Sequence, residues 1–401
     1  KDIEGCKSQW KYKAVETEEE ALEGADFVVI SILPGTFDEM ESDVHTPEKY
    51  NIYQSVGDTA GPGGILRALR TIPMFEEIAE NIKKYCPDAW VINYTNPMTM
   101  CVKTLYKVFP EIKAFGCCHE VFGTQKLLVN ALEDIKGIKD VKREDIKVNV
   151  VGVNHFTWLT KAQYKDIDIF PVYREFAEKY KDNGFVKKSD ENWMNKYFSC
   201  SEKVKIDLFL RYGSIAAAGD RHLAEFCPGD WYLKDKETVE KWGFALTPVS
   251  WRKCDLEKRL ERSERLYCGE EKFELKETGE EGVQQIRALL GLGDLVTNVN
   301  IPNYGQIPNL PIGAVVETNA CFRANSLNPV FAGNIPQAIY PLISRVCGEQ
   351  EQVVDCALNR DLDGVFNAFA ADPNMCISVS DARKLFDEMV DNTKQYLKMY
   401  F

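Results

Sequence analysis

No run of apolar residues in this 401-residue sequence approaches the roughly 20 that are needed to cross a bilayer. The chain opens on polar and charged residues, so no signal peptide is expected. Basic residues are also in deficit, with 49 Lys and Arg against 62 Asp and Glu and a formal net charge of −13. Because a phosphate backbone requires a basic surface, this balance argues against nucleic acid binding. A small anionic substrate is still allowed, since it needs only a local basic pocket.

Paired cysteine motifs are missing as well. Thirteen scattered cysteines, odd in number, form neither a disulfide framework nor the C-x-x-C spacing of zinc sites. Reduced thiols in a cytoplasmic protein are therefore expected. The hydrophobic content of 45% and the charged content of 28% are typical of a globular protein without low-complexity segments.

Short apolar runs alternate with helical patterns in the first part of the chain. The runs cover residues 27–33, 90–95, 113–118 and 146–153. This alternation predicts an α/β fold with a Rossmann-like parallel sheet and helices on both faces. Ligands bind such sheets beyond the carboxyl ends of the strands. The residues expected there are Pro34, Gly35, Asn96, Cys118, His119, Asn154 and His155.

Local signals also predict several helix boundaries. Thr17 is expected to cap a helix that ends near Gly24, and Asn96 to cap a helix with Pro97 in its first turn. Residues 63–86 have helical periodicity, with a break or kink expected at Pro73.

The Gly-rich turn of a dinucleotide-binding sheet is not found. Such a sheet begins with a strand, a Gly-rich turn and a helix, whereas this chain begins with what resembles the second half of that unit. The later glycine clusters at 61–64 and 291–293 lack the preceding strand. The chain is therefore expected either to be truncated at its N-terminus or to bind no dinucleotide.

The pattern changes after about residue 151. Charged and aromatic helices, strands with tight loops near 295–316 and a helical segment at 334–401 predict a mixed α+β domain. We predict an N-terminally incomplete nucleotide-binding domain at residues 1–153 and a substrate and oligomerisation domain at 154–401.

Two of only four histidines lie in similar motifs, Gly-Cys-Cys-His-Glu (116–120) and Gly-Val-Asn-His-Phe-Thr-Trp (152–158). A thiol and an imidazole from neighbouring strand ends can hold a divalent transition metal. A buried cysteine and a strand-end histidine bonded to backbone would fit each motif by itself.

Further motifs extend this pattern over essentially the whole chain. They are Gln-Ser-Val-Gly-Asp-Thr-Ala-Gly-Pro-Gly-Gly (54–64), Asn-Tyr-Thr-Asn-Pro (93–97) and Ala-Gly-Asp-Arg-His-Leu-Ala-Glu-Phe (218–226). Together with the two histidine motifs, they resemble glycoside hydrolase family 4, in particular its α-galacturonidase branch. The resemblance implies a lactate/malate dehydrogenase-like architecture. It also implies catalysis with NAD and Mn²⁺, in which the sugar is oxidised at C3, loses its C2 proton and its leaving group, and then gains water.

The resemblance also implies roles for individual residues. It assigns the metal to Cys118 and His155, the acid to His119 with Glu120 as a possible helper, and the base to Asp220. The remaining implied contacts are Asn96 and Asn154 to the substrate, Pro34, Gly35 and Asn93 to the cofactor, and Asn300 and Asn303 lining the site. From chemistry alone, Arg221 could pair with a uronate carboxylate, with His222 in the same pocket, although an ion pair with Glu225 is an equal alternative.

These expectations define the function hypotheses. The first is a cytoplasmic, homo-oligomeric α-galacturonidase that acts on pectin-derived sugars. An α-glucuronidase, α-galactosidase or α-glucosidase of the same family is the alternative within the enzyme class. A catalytically inactive fragment that lacks the dinucleotide site is the alternative from another class.

Overall fold

The structure of the protein, a computed structural model, describes residues 11–186, 200–272 and 279–401. The ten strands of this described part are β1 Phe27–Ile30, β2 Trp90–Asn93, β3 Lys113–Gly116, β4 Ile146–Val153, β5 Phe156–Tyr164, β6 Ile167–Asp168, β7 Ile215–Ala216, β8 Leu295–Pro302, β9 Val315–Arg323 and β10 Ser326–Pro329. They form a six-stranded sheet in the order β1-β2-β3-β8-β9-β10 and a four-stranded sheet of β4 to β7.

Helices of the described part connect and cover these sheets. They are α1 Glu18–Leu22, α2 Phe37–His45, α3 Gly61–Tyr85, α4 Met98–Val108, α5 Glu120–Lys136, α6 Ile169–Tyr180, α7 Lys203–Tyr212, α8 Asp220–Phe226, α9 Gly229–Tyr232, α10 Lys236–Trp242, α11 Val249–Tyr267, α12 Gly282–Leu289, α13 Tyr340–Leu358, α14 Leu362–Ala371 and α15 Val379–Asn392. Short 3-10 turns lie at Pro47–Tyr50, Arg143–Asp145, Lys394–Tyr396 and Lys398–Tyr400. None of the helices in the described ranges is long and apolar enough to cross a membrane.

The parallel part of the large sheet consists of β1, β2 and β3. The apolar runs of β2 and β3 are largely buried, as expected for strands covered on both faces, whereas Val29 of the edge strand β1 is 55% exposed. On the far side of β3, strand β8 joins in the antiparallel sense, with Gly116 opposite Asn300. Strands β8 to β10 therefore complete this sheet from the second half of the sequence. The division into residues 1–153 and 154–401 stays a prediction.

The expectation that residues 146–153 form a fourth parallel strand is wrong. Strand β4 pairs antiparallel with β5 in the smaller sheet. Only Asn154 and His155 separate these strands, and His155 has a φ of 62°. A connection of two residues can close an antiparallel hairpin but cannot cross over to a parallel strand. His155 consequently reaches the ligand-binding edge from a hairpin turn rather than from a strand of the main sheet.

The predicted helix boundaries are close to the observed ones. Thr17 caps α1 by accepting a hydrogen bond from the Glu20 N–H at 3.3 Å, as expected. The helix after β2 begins at Met98 with Pro97 as its N-cap residue, so the N-cap assigned to Asn96 is wrong by one position. Helix α3 runs through Pro73, where a break or kink was expected, and is assigned as one helix of 25 residues.

A close backbone approach accounts for the glycines at the start of α3. A Cβ added at Gly64 would lie 2.4 Å from the carbonyl carbon of Thr59. No side chain can occupy that space. This packing holds the 54–60 segment against the start of α3 and presents its polar residues at the edge of the sheet.

Candidate active site

The carboxyl ends of β1 to β3 face two further segments, the β4–β5 turn and the start of α8. His155 in the turn lies against His222 of α8, with ring centroids 3.9 Å apart and an angle of 35° between the rings. The Nδ1 of His155 is 3.1 Å from the Thr59 hydroxyl oxygen. Burial and the charge of His222 lower the pKa of His155 to about 3. A neutral imidazole, which is the form that binds metals, is therefore expected.

Asp58 completes a group of possible metal ligands. One ligand atom each from Asp58, His155 and His222 lies within 4.8 Å of the other two. Although burial alone would raise the pKa of Asp58, the charge of Arg67 and those of the two histidines outweigh it, so the pKa lies below its usual value. The carboxyl group is therefore ionised at neutral pH. Two imidazoles and one carboxylate suit a divalent first-row metal.

Cys118, the predicted thiol ligand, lies just after β3 and is partly buried. Burial raises the pKa of its thiol well above the usual value, and the carboxylates of Glu317 and Glu120 raise it further. The thiol is therefore protonated unless a cation lies beside it. A bound divalent ion would deprotonate it. Cys118 does not belong to the three-residue group of Asp58, His155 and His222.

The two predicted substrate-binding asparagines each carry an unsatisfied oxygen. Asn154 is fully buried and Asn96 partly so, and the Oδ1 atom of each is buried without a hydrogen-bond partner. Their amide nitrogens are engaged, with Asn154 donating to Glu317 at 3.2 Å and Asn96 to Asp58 at 3.4 Å. Buried polar atoms are rarely left unpaired in proteins. These two oxygens are therefore available to hydroxyl groups of a ligand.

The predicted acid, His119, lies at the rim of the site. Its Nδ1 is 2.8 Å from a carboxylate oxygen of Glu280, and its side chain is 64% exposed. Glu120 lies deeper, where it accepts a hydrogen bond from the Gly219 N–H at 2.7 Å and has an oxygen 3.9 Å from the Nε2 of His222. Although burial alone would raise it, the pKa of Glu120 falls to about 2 because of the charges of His222 and His155. An ionised Glu120 is a proton acceptor rather than a proton donor.

Asp220, the predicted base, is fully buried. Its two carboxylate oxygens accept hydrogen bonds from the Val204 and Lys205 N–H groups at 3.1 and 3.0 Å, at the first turn of α7. Burial, followed by the charge of Glu202, raises its pKa to about 7. In this arrangement Asp220 satisfies the start of a helix. Its role as base stays a prediction.

Arg221 joins three segments of chain. Its Nε donates to the Ala245 carbonyl at 2.9 Å, and its Nη2 donates to the Ser55 carbonyl. The Glu225 carboxylate accepts hydrogen bonds from the N–H groups of Val56 and Gly57 at 2.7 and 2.9 Å. Both side chains thus hold the segment that precedes Asp58. Arg67 and Arg252 supply further positive charge to Asp58.

The residues predicted to contact the cofactor lie where β1 and β2 end. Gly35 has a φ of 92°, a conformation that favours glycine. The Pro34 carbonyl accepts a hydrogen bond from the Nε of Arg70 at 3.3 Å. Asn93 uses its amide in a turn, since it donates to the Thr95 carbonyl and accepts from the Thr95 N–H, both at 3.0 Å. The Asn93 side chain is thus fully buried and bonded within the turn, and its contact with a cofactor stays a prediction.

Asn300 and Asn303, the two further predicted lining residues, differ in their surroundings. Asn300 is fully buried and lies opposite Glu317 in the β8–β9 ladder. Asn303 holds its own loop by donating to the carbonyls of Ile307 and Leu310 at 2.9 and 3.0 Å.

Sequence reasoning did not assign roles to Asp58, Thr59 and Glu317. Asp58 and Thr59 belong to a motif that was noted only as part of the family pattern. Glu317 is 1% exposed, and burial raises its pKa to about 7 against the hydrogen bonds from Asn154 and Asn298. The available signal was a single acidic residue within β9, directly after the apolar pair Val315 and Val316.

Comparison with known proteins shows the family to which the chain belongs. The model of the family 4 glycosyl hydrolases matches residues 1–134, and the model of their C-terminal domain matches residues 150–375. The chain belongs to family 4 of the glycosyl hydrolases. The predicted family, the α/β fold class and the glycosidase activity are confirmed.

Individual relatives agree with this assignment. The chain is 68% identical over 391 residues to an alpha-galacturonidase of Thermoanaerobacterium saccharolyticum. The aligned region covers 98% of this chain and 84% of the relative. The chain is 53% identical over 382 residues to an alpha-galacturonidase of Bacillus subtilis, with 95% and 84% covered. The Bacillus subtilis protein lplD, whose crystal structure is described under the name of a glucosidase, has a TM-score of 0.91 at 52% identity, with 95% and 86% covered.

A more distant solved structure shares the fold. It is a 6-phospho-alpha-glucosidase from gut microorganisms in complex with NAD and Mn²⁺, with a TM-score of 0.78 at 21% identity and coverages of 95% and 84%.

Proposed function

We propose that this glycosidase hydrolyses α-galacturonides with the help of NAD and Mn²⁺. The observation that carries the proposal is the 68% identity, over 98% of the chain, to a relative that bears the name alpha-galacturonidase. The donor set at the site supports the cofactors. It consists of a thiol, a neutral imidazole and two unpaired amide oxygens, together with ionised carboxylates.

We propose the following roles for the residues of the site. Cys118 and His155 would hold the metal, and the unpaired oxygens of Asn96 and Asn154 would accept hydrogen bonds from sugar hydroxyls. When bound, Mn²⁺ supplies stabilisation for negative charge on sugar oxygens, and NAD supplies a reversible hydride acceptor. Pro34 and Gly35 are the residues that would contact NAD.

Proton transfer requires one group that donates and one that accepts. His119 at the rim would donate to the departing glycosidic oxygen. Asp220 has the pKa better suited to a base, but it is fully buried and bonded to the start of α7, so Glu120, which lies 3.9 Å from the Nε2 of His222, is the alternative acceptor. Both assignments remain proposals. Exchange of solvent deuterium into C2 of the sugar by Glu120→Gln and Asp220→Asn variants would distinguish them.

The substrate preference can be tested directly. With NAD, Mn²⁺ and a reductant present, we expect kcat/KM for p-nitrophenyl α-galacturonide to exceed the values for the α-galactoside and α-glucoside by at least about 10²-fold, because these two substrates lack the carboxylate that a buried cation would recognise. The α-glucuronide keeps the carboxylate and differs at C4, so its lower value would report recognition of the C4 hydroxyl. Faster turnover of a neutral α-glycoside would assign the chain to another activity of the family. Absence of turnover on all four would favour an inactive protein.

The uronate carboxylate needs a cationic partner, and Arg221 was predicted for this role. If Arg221 binds the carboxylate, Arg221→Met should raise KM for the galacturonide far more than KM for the galactoside. If its bonds to Ser55 and Ala245 are its main role, both KM values should change together and the melting temperature should fall. Arg252→Met, which removes another partly buried guanidinium near Asp58, is the matched comparison.

Cellular context and assembly complete the proposal. All twelve cysteines of the described part of the chain are free thiols, which supports a reducing, cytoplasmic location. We also propose a homo-oligomer, with residues 154–401 contributing the interface. Light scattering on the purified protein would measure its mass, and a monomer would contradict this part.

A further inference from the structure

The two candidate metal ligands are held by different sheets. Cys118 follows β3 of the six-stranded sheet, whereas His155 lies in the turn between β4 and β5 of the four-stranded sheet. Metal–ligand distances tolerate deviations of only about 0.2 Å. The separation between the sheets must therefore be fixed at this point by something other than the strands themselves.

Glu317 of β9 is one side chain that connects the two segments. It is 1% exposed. Its Oε2 accepts a hydrogen bond from the Asn154 amide at 3.2 Å, and its Oε1 accepts one from the Asn298 amide at 2.7 Å. Asn154 immediately precedes His155, so the first of these bonds restrains the turn that carries the imidazole.

The second bond leads to the thiol. The same Asn298 nitrogen lies 3.2 Å from the carbonyl oxygen of Cys118 and donates to it. Asn298 lies on β8, which pairs with both β3 and β9. The buried Glu317 carboxylate is thus bonded directly to Asn154, the residue before His155. Through Asn298 it is also connected to the backbone of Cys118.

We propose that Glu317 is a positioning residue that sets the spacing of Cys118 and His155 for metal binding. The inference rests on the proposed function only for the identity of the metal site. An acidic side chain suits this position because each oxygen can accept from a separate amide N–H group. Partners of this kind orient metal ligands, and their loss typically weakens metal affinity about 10- to 100-fold.

A general packing role would give different results, and the same strand offers a control for it. Asn319, two residues along β9, also bridges the sheets by donating to the Val148 carbonyl at 2.6 Å. That bond involves neither Cys118 nor Asn154. Asn319→Ala should therefore destabilise the contact between the sheets without altering the ligand spacing.

The test is metal binding to the full chain, followed without turnover. Co²⁺ is titrated into metal-free protein, and the thiolate-to-cobalt charge-transfer absorption reports whether Cys118 is a ligand. For Glu317→Ala we expect Co²⁺ and Mn²⁺ to bind about 10- to 100-fold more weakly, with a reduced charge-transfer band. Glu317→Gln should be intermediate, because its amide group can accept from only one of the two asparagines.

Two comparisons make the outcome decisive. Asn319→Ala should retain the metal affinity of the unchanged protein even where its melting temperature falls as far as that of Glu317→Ala. Unchanged affinity and absorption in a folded Glu317→Gln would overturn the proposal, as would equal losses of affinity in Asn319→Ala. A protein that binds Co²⁺ through Cys118 but cleaves no galacturonide would overturn the proposed function alone.

Discussion

Replacing His155 with alanine should reduce kcat/KM for an α-galacturonide by about 10²- to 10³-fold, the usual cost of losing one stabilising group at a reacting centre. Thr59 engages the Nδ1 of His155, which leaves Nε2 as the ring nitrogen for a metal. Alanine also removes the ring that packs on His222. The loss should persist at saturating substrate, because the metal would stabilise negative charge that develops on the sugar oxygens only in the transition state.

The matched control is His45→Ala. His45 lies on α2, and its Nδ1 is 2.9 Å from a carboxylate oxygen of Glu48, with a third of its side chain exposed. This variant should keep the activity of the unchanged protein. Circular dichroism would establish that both variants fold. If His155→Ala retained more than a tenth of kcat/KM at saturating Mn²⁺, the imidazole could not be a metal ligand in the reaction.

The parallel sheet was predictable because its strands leave an unambiguous pattern. Strands β1, β2 and β3 are short apolar runs, each followed by a polar or turn residue, which is the pattern of strands buried on both faces. Strand β4 ends in a similar apolar run, residues 150–153, which hid the apolar–polar alternation of its first half, residues 146–149. The turn that makes it a hairpin has Asn154 and His155 in place of the usual Asn-Gly, and it gave no recognisable signal.

The site was predictable where function coincides with the end of a strand. Cys118 and His155 were identified because each follows an apolar run. Glu317 was not, because alternation within one strand does not reveal which face meets a second sheet. For Asp220, the sequence pattern allowed several interpretations and did not select one. A Gly-Asp pair is compatible with a turn, a base or a helix cap, and its bonds to Val204 and Lys205 depend on a helix that begins seventeen positions earlier.

Removing the carboxylate of Asp43 should destabilise the fold by about 3–5 kcal/mol, the usual cost of leaving a buried charge without its partner. Asp43 of α2 and Arg70 of α3 are each 1% exposed at their side chains and form a two-point ion pair. Arg70 also donates to the Leu66 carbonyl and, through Nε, to the Pro34 carbonyl, both at 3.3 Å. In Asp43→Ala its guanidinium remains buried, and these carbonyls supply no compensating negative charge.

The free energy of unfolding in urea measures this effect, and two variants define its origin. Asp294→Ala removes the partner of Arg323 from an ion pair in which both side chains are 63% exposed, so little change is expected. Asp43→Leu combined with Arg70→Met replaces the buried pair with apolar groups and should recover most of the loss. A loss in Asp43→Ala no greater than in Asp294→Ala would show that the buried pair does not stabilise the edge of the sheet.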